Sequence, residues 1–156
     1  MKDNLNILIK YFDTPEYKCT RLNKIHKGDW IDLYAAKDVF VEYNSDKPTL
    51  VPLGVAMKLP EGYEAHVAPR SSMFKTWGII QTNSFGIIDN SYSGDNDQWM
   101  LPVICIHPKD NNGSLIKAGD KICQFRIIES MPEVNIIEVN KLDDTNRGGF
   151  GSTGTK

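Results

Sequence analysis

The chain has 156 residues, of which 40% are hydrophobic and 24% charged, and its formal net charge is -2 at pH 7. This length and composition predict one globular domain that can bury its own core. The absence of a basic excess argues against nucleic acid or an anionic membrane as a partner. No apolar run resembles a signal peptide or a membrane span, so we expect a cytoplasmic protein.

The predicted elements are almost all strands. Alternating or continuous apolar segments with turn signals between them predict strands at 5–12, 30–36, 39–43, 50–59, 63–68, 79–80, 85–88, 98–107, 122–129 and 134–139. Residues 71–77 are predicted to form one short helix with a serine as its N-cap. Many short strands at close spacing are typical of an all-β barrel or sandwich.

The segment IIQTNSFGIIDNSYSG, residues 79–94, combines two apolar runs with a polar centre. Gln81–Ser84 is predicted to be a hairpin or tight loop, and Asp89 and Tyr92 follow the second run. A carboxylate and a phenol held at the end of a strand are a plausible way to build a small pocket. The local pattern alone favours an ordinary turn followed by a packed tyrosine.

The composition changes at about Asp143. Residues 143–156 read DDTNRGGFGSTGTK and contain almost nothing apolar. We predict that residues 1–142 form the domain and that residues 143–156 form a mobile tail. Arg147 offers a planar fork for a phosphate, and Phe150 offers a flat face for a nucleobase. The same composition also describes a plain disordered tail.

The cysteines and histidines give no sign of a metal or disulfide site. The three cysteines are an odd number without CxxC spacing, which favours buried reduced thiols. The three histidines, His26, His66 and His107, fit no ligand spacing and are interpreted as ordinary surface or packed side chains.

Five short segments, taken together and in order, resemble the trimeric dUTP pyrophosphatase (dUTPase) family. They are DLYAA at 32–36, PRSS at 69–72, GIID at 86–89 with Tyr92 and Gly94, GDKICQ at 119–124, and RGGFGSTG at 147–154. The resemblance implies a jelly-roll-like β subunit and a Mg²⁺-dependent hydrolysis of dUTP to dUMP and pyrophosphate. It also implies a homotrimer with shared active sites. Such an activity limits uracil in DNA and supplies dUMP for dTMP synthesis.

The resemblance assigns the opening segment to base selection and catalysis. Asp89 matches the aspartate that orients and deprotonates the water attacking the α-phosphorus. Tyr92 matches the ring that lies against the deoxyribose and excludes a 2′-hydroxyl. Asn83, Gly86 and Ile88 match the uracil-reading loop, whose backbone groups would be left unpaired by cytosine.

The resemblance assigns the phosphates and the metal to other segments. Asp32 matches the acidic residue that holds waters of the Mg²⁺ shell. The residues that match phosphate or lid positions are Arg70, Ser71, Ser72, Gln124, Arg147, Phe150, Gly151, Ser152 and Thr153. Phe150 would cover the uracil, so that the tail acts as a lid that excludes water. Arg70 can also form an ion pair with a carboxylate.

Two departures and three alternatives remain open. Trp30 stands where the family usually has glycine, so we expect a different turn before Asp32; residues 95–99 are also more acidic than expected. The alternatives are a dCTP deaminase, which shares the fold, a regulatory protein that uses the nucleotide-bound state as a signal, and a purely structural jelly roll. The uracil-type loop argues against the first, and the complete tail against the first and the last. If the chain comes from a phage, it could also have a regulatory protein partner.

Overall fold

The computed structural model describes residues 4–155, which form eleven strands and one helix. The elements are β1 (Leu8–Tyr11), β2 (Ile31–Tyr34), β3 (Val39–Glu42), β4 (Thr49–Pro52), β5 (Val55–Lys58), β6 (Tyr63–Pro69), α1 (Met73–Trp77), β7 (Ile79–Gln81), β8 (Gly86–Ile88), β9 (Met100–Cys105), β10 (Gly113–Ile116) and β11 (Lys121–Glu129). The prediction of an all-β fold with one short helix is confirmed.

The strands form two larger sheets and two strand pairs. The four-stranded sheet has the order β2-β11-β6-β8, and the three-stranded sheet has the order β4-β9-β7. The pairs are β1-β5 and β3-β10, and an isolated bridge between Tyr43 and Cys105 connects the end of β3 to β9. All named strand pairs are antiparallel. The sheets therefore enclose the core as in a jelly roll.

The core is built from the inward-facing residues of the alternating strands. β3 buries Val39 and Val41 and exposes the residues that follow each, as the period of two requires. Trp99 and Phe125 meet edge to face at the centre, with ring centroids 5.2 Å apart. Trp99 is 1% exposed, so the unusual segment 95–99 ends in a core residue.

Some predicted elements have different bounds. The predicted strand 50–59 is two strands, β4 and β5, because Gly54 turns the chain between them with φ = 69°. A Cβ at Gly54 would lie 2.6 Å from Cys19 Sγ, so only glycine fits there. The helix, predicted over 71–77, begins at Met73, and its N-cap residue is a serine, Ser72, whose side chain makes no capping hydrogen bond. β10 lies in a segment for which the sequence predicted no strand.

The predicted strand 134–139 is wrong. Residues 130–139 have no regular structure, and Ile136 and Ile137 are 96% and 78% exposed. The alternation of apolar and polar residues is present, but no strand among residues 4–155 pairs with this segment. Residues 131–155 are exposed throughout. No helix among residues 4–155 is long and apolar enough to cross a membrane.

Candidate active site

Asp89 lies directly after β8, where the chain leaves the four-stranded sheet. The side chain is exposed, and its Oδ1 accepts hydrogen bonds from the backbone N–H of Ser91 at 2.8 Å and from Ser91 Oγ at 2.5 Å. These two bonds, the hydroxyl bond first, lower the pKa of the Asp89 carboxyl below its usual value. The carboxylate is therefore ionised at neutral pH and can accept a proton.

The next residue fixes this loop to the body of the protein. Asn90 Nδ2 donates to the backbone oxygens of Pro60 and Tyr63, both at 2.8 Å. These oxygens belong to the turn between β5 and β6 and to the start of β6. Asn90 thus holds the Asp89 loop against β6. The sequence pattern predicted only an ordinary turn at this position.

Tyr92 is held by its own hydroxyl. Its Oη donates to the backbone oxygen of Gln98 at 2.9 Å, and its backbone N–H donates to Asp89 O at 3.0 Å. The ring remains 40% exposed, so one face is available to a ligand. Asp97 Oδ2 accepts from the N–H of Gly94 at 2.8 Å. The carboxylate of Asp97, which belongs to the unexpectedly acidic segment 95–99, therefore shapes the loop.

The polar segment between β7 and β8 is a tight turn. Ser84 has φ = 62°, and the N–H of Phe85 donates to Asn83 O at 2.7 Å. The flanking strands do not pair with each other, because β7 belongs to the three-stranded sheet and β8 to the four-stranded sheet. The turn is therefore a crossing between two sheets and not a paired hairpin. Asn83 is exposed, and Ile88 is half-buried against the core.

A separate cavity of about 370 Å³ gathers four of the predicted residues. Asp32, Arg70, Ser71 and Gln124 line it, together with Ile25 and residues 27–30. They meet because β11 lies between β2 and β6, so that Gln124 is opposite both Asp32 and Ala68, and Arg70 directly follows β6. Sequence positions as far apart as 32 and 124 thus face one opening.

The charges in this cavity are paired. Arg70 Nε lies 3.1 Å from Asp32 Oδ1, and Lys121 Nζ lies 3.5 Å from Asp32 Oδ2. Asp32 is 22% exposed at its side chain, so this pair is only partly screened by solvent. Gln124 Nε2 donates to Pro69 O at 3.2 Å. The charged residues that line the opening, Lys27, Asp29, Asp32 and Arg70, balance one another, and Lys121 beside Asp32 adds one positive charge. The guanidinium and the ammonium beside Asp32 suit a phosphate.

The comparisons with known proteins assign the family. A model described as dUTPase matches residues 30–154 of the chain. The chain belongs to the dUTPase family. It is 56% identical to the SPbeta prophage-derived deoxyuridine 5′-triphosphate nucleotidohydrolase YosS of Bacillus subtilis (strain 168), over 97% of this dUTPase and 100% of that protein. It is 38% identical to the deoxyuridine 5′-triphosphate nucleotidohydrolase of Hydrogenobaculum sp. (strain Y04AAS1), over 81% of this chain and 83% of that protein.

Solved structures agree on the fold. The dUTPase of Staphylococcus bacteriophage 80alpha with dUPNHPP aligns with a TM-score of 0.73 and 20% identity, covering 96% of this chain and 99% of that one. The dUTPase from Streptococcus mutans aligns with a TM-score of 0.66 and 19% identity, covering 81% and 98%. The predicted jelly-roll-like subunit is therefore confirmed for this dUTPase.

The start of the family match coincides with the Trp30 departure. Asp29 Oδ2 lies 3.6 Å from Arg126 Nη2, and the Arg126 guanidinium lies over the Trp30 ring at 5.8 Å from its centroid. These contacts with β11 hold the turn before Asp32 in place. That this turn differs from the family's usual one stays a prediction.

The donor set of the dUTPase fits a magnesium ion that keeps most of its waters. No group of three or more His, Cys, Asp or Glu residues that could hold a metal occurs in the part of the chain that the structure describes. Asp32 is a single carboxylate at the edge of the cavity. Mg²⁺ prefers waters, phosphates and one or two carboxylates, so a dedicated cage is not required.

The remaining predicted residues are not among those that line this cavity. Ser72 is the residue before α1, and the five tail residues Arg147, Phe150, Gly151, Ser152 and Thr153 are all exposed. The hydrogen bonds that the described tail makes are local, such as Ser152 N–H to Gly149 O at 3.1 Å. A single chain therefore does not bring the tail to Asp89 or to the cavity.

Proposed function

We propose how this member of the dUTPase family hydrolyses dUTP to dUMP and pyrophosphate: Asp89 activates a water that attacks the α-phosphorus. The observation that supports this role is the carboxylate of Asp89, which is exposed and oriented by two hydrogen bonds from Ser91 that lower its pKa. Since Ser91 occupies Oδ1, we assign Oδ2 to the water. The proton passes from the water to Asp89 as the new bond to phosphorus forms, and pyrophosphate leaves.

Selection of uracil and deoxyribose falls to the two loops beside β8. We assign the base to the turn around Asn83, with Gly86 and Ile88 at the start and end of β8. Uracil can pair with backbone groups of such a turn, whereas cytosine would leave buried groups unpaired. The Tyr92 ring is anchored at its hydroxyl. The ring itself would occupy the space that a 2′-hydroxyl needs, so we assign the exclusion of UTP to the ring and not to this bond.

Binding of the triphosphate falls to the cavity around Asp32. Arg70, Ser71 and Gln124 present a guanidinium, a hydroxyl and an amide to this opening, and Ser72 follows them at the start of α1. On binding, the guanidinium of Arg70 exchanges part of its contact with Asp32 for the phosphates. Asp32 would then hold waters of a Mg²⁺ ion, which when bound supplies neutralisation of the phosphate charge.

A homotrimer completes the site. The apolar side chains that residues 131–142 leave exposed are Met131, Val134, Ile136, Ile137, Val139 and Leu142. Burial of such a set on a neighbouring copy would be favourable, because exposed apolar surface of this extent marks an interaction site. The tail, residues 143–156, would then reach the neighbour's site. There Arg147, Ser152 and Thr153 contact the γ-phosphate, Phe150 covers the uracil, and Gly151 gives the backbone a close approach.

The location and origin are also part of the proposal. Cys19, Cys105 and Cys123 are free thiols, which suits the reducing cytoplasm. The 56% identity to a prophage-derived protein supports descent from a phage. A dUTPase of Staphylococcus bacteriophage 80alpha is described as controlling transfer of virulence genes. A regulatory protein partner of this chain stays a prediction.

An isotope experiment tests the position of attack. Hydrolysis of dUTP in ¹⁸O-labelled water should place the label in dUMP, because the bond forms at the α-phosphorus. Label in pyrophosphate would show attack at the β-phosphorus and contradict the assignment of Asp89. Mass spectrometry of both products distinguishes the two outcomes.

A further inference from the structure

Gln81 is a buried residue directly before the turn of residues 82–86, the turn to which we assign recognition of uracil. It is the last residue of β7 and is 7% exposed. The buried residues of the chain are almost all apolar, and Ile79 on the same face of β7 is completely buried. A polar side chain at such a position requires a physical reason.

The Gln81 side chain connects the two larger sheets. Its Nε2 donates to Val67 O at 3.2 Å. Gln81 belongs to the three-stranded sheet, where it pairs with Val103 of β9, and Val67 belongs to β6 of the four-stranded sheet. The bond therefore spans the sheets at the point where the chain crosses from β7 to β8, which is also where the turn around Asn83 begins.

The same amide lies inside the turn. An ideal Cβ built on Gly86 would lie 3.8 Å from Gln81 Nε2 and 3.7 Å from Asn83 Nδ2. Gly86 pairs with Val67 in the β6–β8 ladder. Gln81 is thus in reach of both ends of the turn, and its bond to Val67 fixes the distance between them.

Stability alone does not account for this amide. Among the residues that the structure describes, Gln81 Oε1 is buried without a hydrogen-bond partner. A buried unpaired acceptor is unfavourable, and an apolar side chain of the same shape would avoid that cost. A role in holding the turn accounts for a donor at this position.

We propose that Gln81 is a positioning residue for uracil recognition, which holds the turn of residues 82–86 in the shape that pairs with the base. This inference rests on the proposed function. Its consequence is selective: loss of the bond between Gln81 and Val67 loosens the base-reading backbone. Loss of this bond does not change the hydrogen bonds of Asp89 and Asn90 or the cavity around Asp32.

Gln81→Met is the direct test, because methionine keeps the length of the side chain and removes the donor and the acceptor. The expected result is a rise in KM for dUTP of about tenfold, a similar loss of discrimination against dCTP, and kcat within about twofold of wild type. Gln81→Leu is the second variant should methionine prevent folding. Retention of a wild-type KM and of wild-type discrimination in a folded variant would overturn the inference.

Ser114→Ala is the matched control. Ser114 is fully buried, and its Oγ donates to Trp77 O and accepts from Lys109 N–H, away from the turn. This variant should lose stability with KM and discrimination unchanged. An equal rise in KM in Ser114→Ala would mean that general loosening causes the effect, which also overturns the inference. Wild-type protein that does not hydrolyse dUTP would instead contradict the proposed function.

Discussion

The backbone N–H and the hydroxyl of Ser91 both donate to the same oxygen of Asp89. This arrangement places two donors on Oδ1 and leaves Oδ2 to a ligand. It also stabilises the ionised form of a carboxyl that water already reaches. Ser91 therefore orients the group that we assign as general base and lowers its pKa further below neutral pH.

Removal of the Ser91 hydroxyl should raise the pKa of Asp89. The hydroxyl bond is the largest cause of the lowered pKa, so Ser91→Ala should move the Asp89 titration to higher pH. As the solution is acidified, Asp89 in Ser91→Ala would then take up its proton at a higher pH than Asp89 in the wild type. A ¹³C NMR titration of the carboxyl carbon measures this shift. Ser93→Ala is the control, and an identical titration in Ser91→Ala and wild type would contradict the account.

Asp89→Asn should separate binding from turnover. The amide retains the shape of the side chain but cannot accept the proton of the attacking water. We expect kcat to fall by roughly 10²–10⁴-fold, the usual contribution of a general base, with dUTP affinity close to that of wild type. Calorimetric titration with dUTP and a steady-state assay measure the two quantities. Turnover at the wild-type rate would place the base elsewhere.

The ring of Tyr92, rather than its hydroxyl, should discriminate against ribose. Tyr92→Ala removes the ring, so the ratio of kcat/KM for dUTP to that for UTP should fall by roughly tenfold or more. Tyr92→Phe is the matched variant, because it loses only the bond to Gln98 O. It should keep most of the discrimination. A wild-type ratio in Tyr92→Ala would exclude this role.

Truncation after Leu142 should remove the lid and keep the assembly. The shortened chain retains the exposed apolar residues of 131–142 and loses the tail. We expect sedimentation to show a trimer whose kcat/KM is lower by about 10²-fold, because substrate positioning is lost. Phe150→Ala tests the uracil contact alone and should cause a smaller loss. Full activity of the truncated protein would contradict the lid.

Local patterns predicted most strands and the single helix. β3 and β6 follow the alternation of buried residues closely, and α1 ends at Gly78, whose φ of 64° suits glycine. The segment 134–139 has the same alternation and forms no strand. Alternation shows that one face of a segment can be buried, but it does not supply a neighbouring strand. Within the described part of the chain, no strand pairs with this segment.

The site was predicted through the resemblance rather than through local patterns. Periodicity does not show that Arg70 will reach Asp32, because sheet order decides which distant residues meet. The supporting residues Ser91, Asn90 and Gln81 were missed for a related reason. Asn90 and Ser91 have side chains common in turns, and Gln81 was predicted as part of the polar loop. Only the partner of each residue in three dimensions shows what it holds.

We propose that the chain selects uracil and deoxyribose while it hydrolyses the bond between the α-phosphorus and pyrophosphate. Pyrophosphate release by the full-length protein with Mg²⁺ should be measured in parallel for dUTP, dCTP, dTTP and UTP. The account predicts rapid release from dUTP and little from the other three nucleotides. Absence of release from dUTP, or equal release from all four, would contradict it.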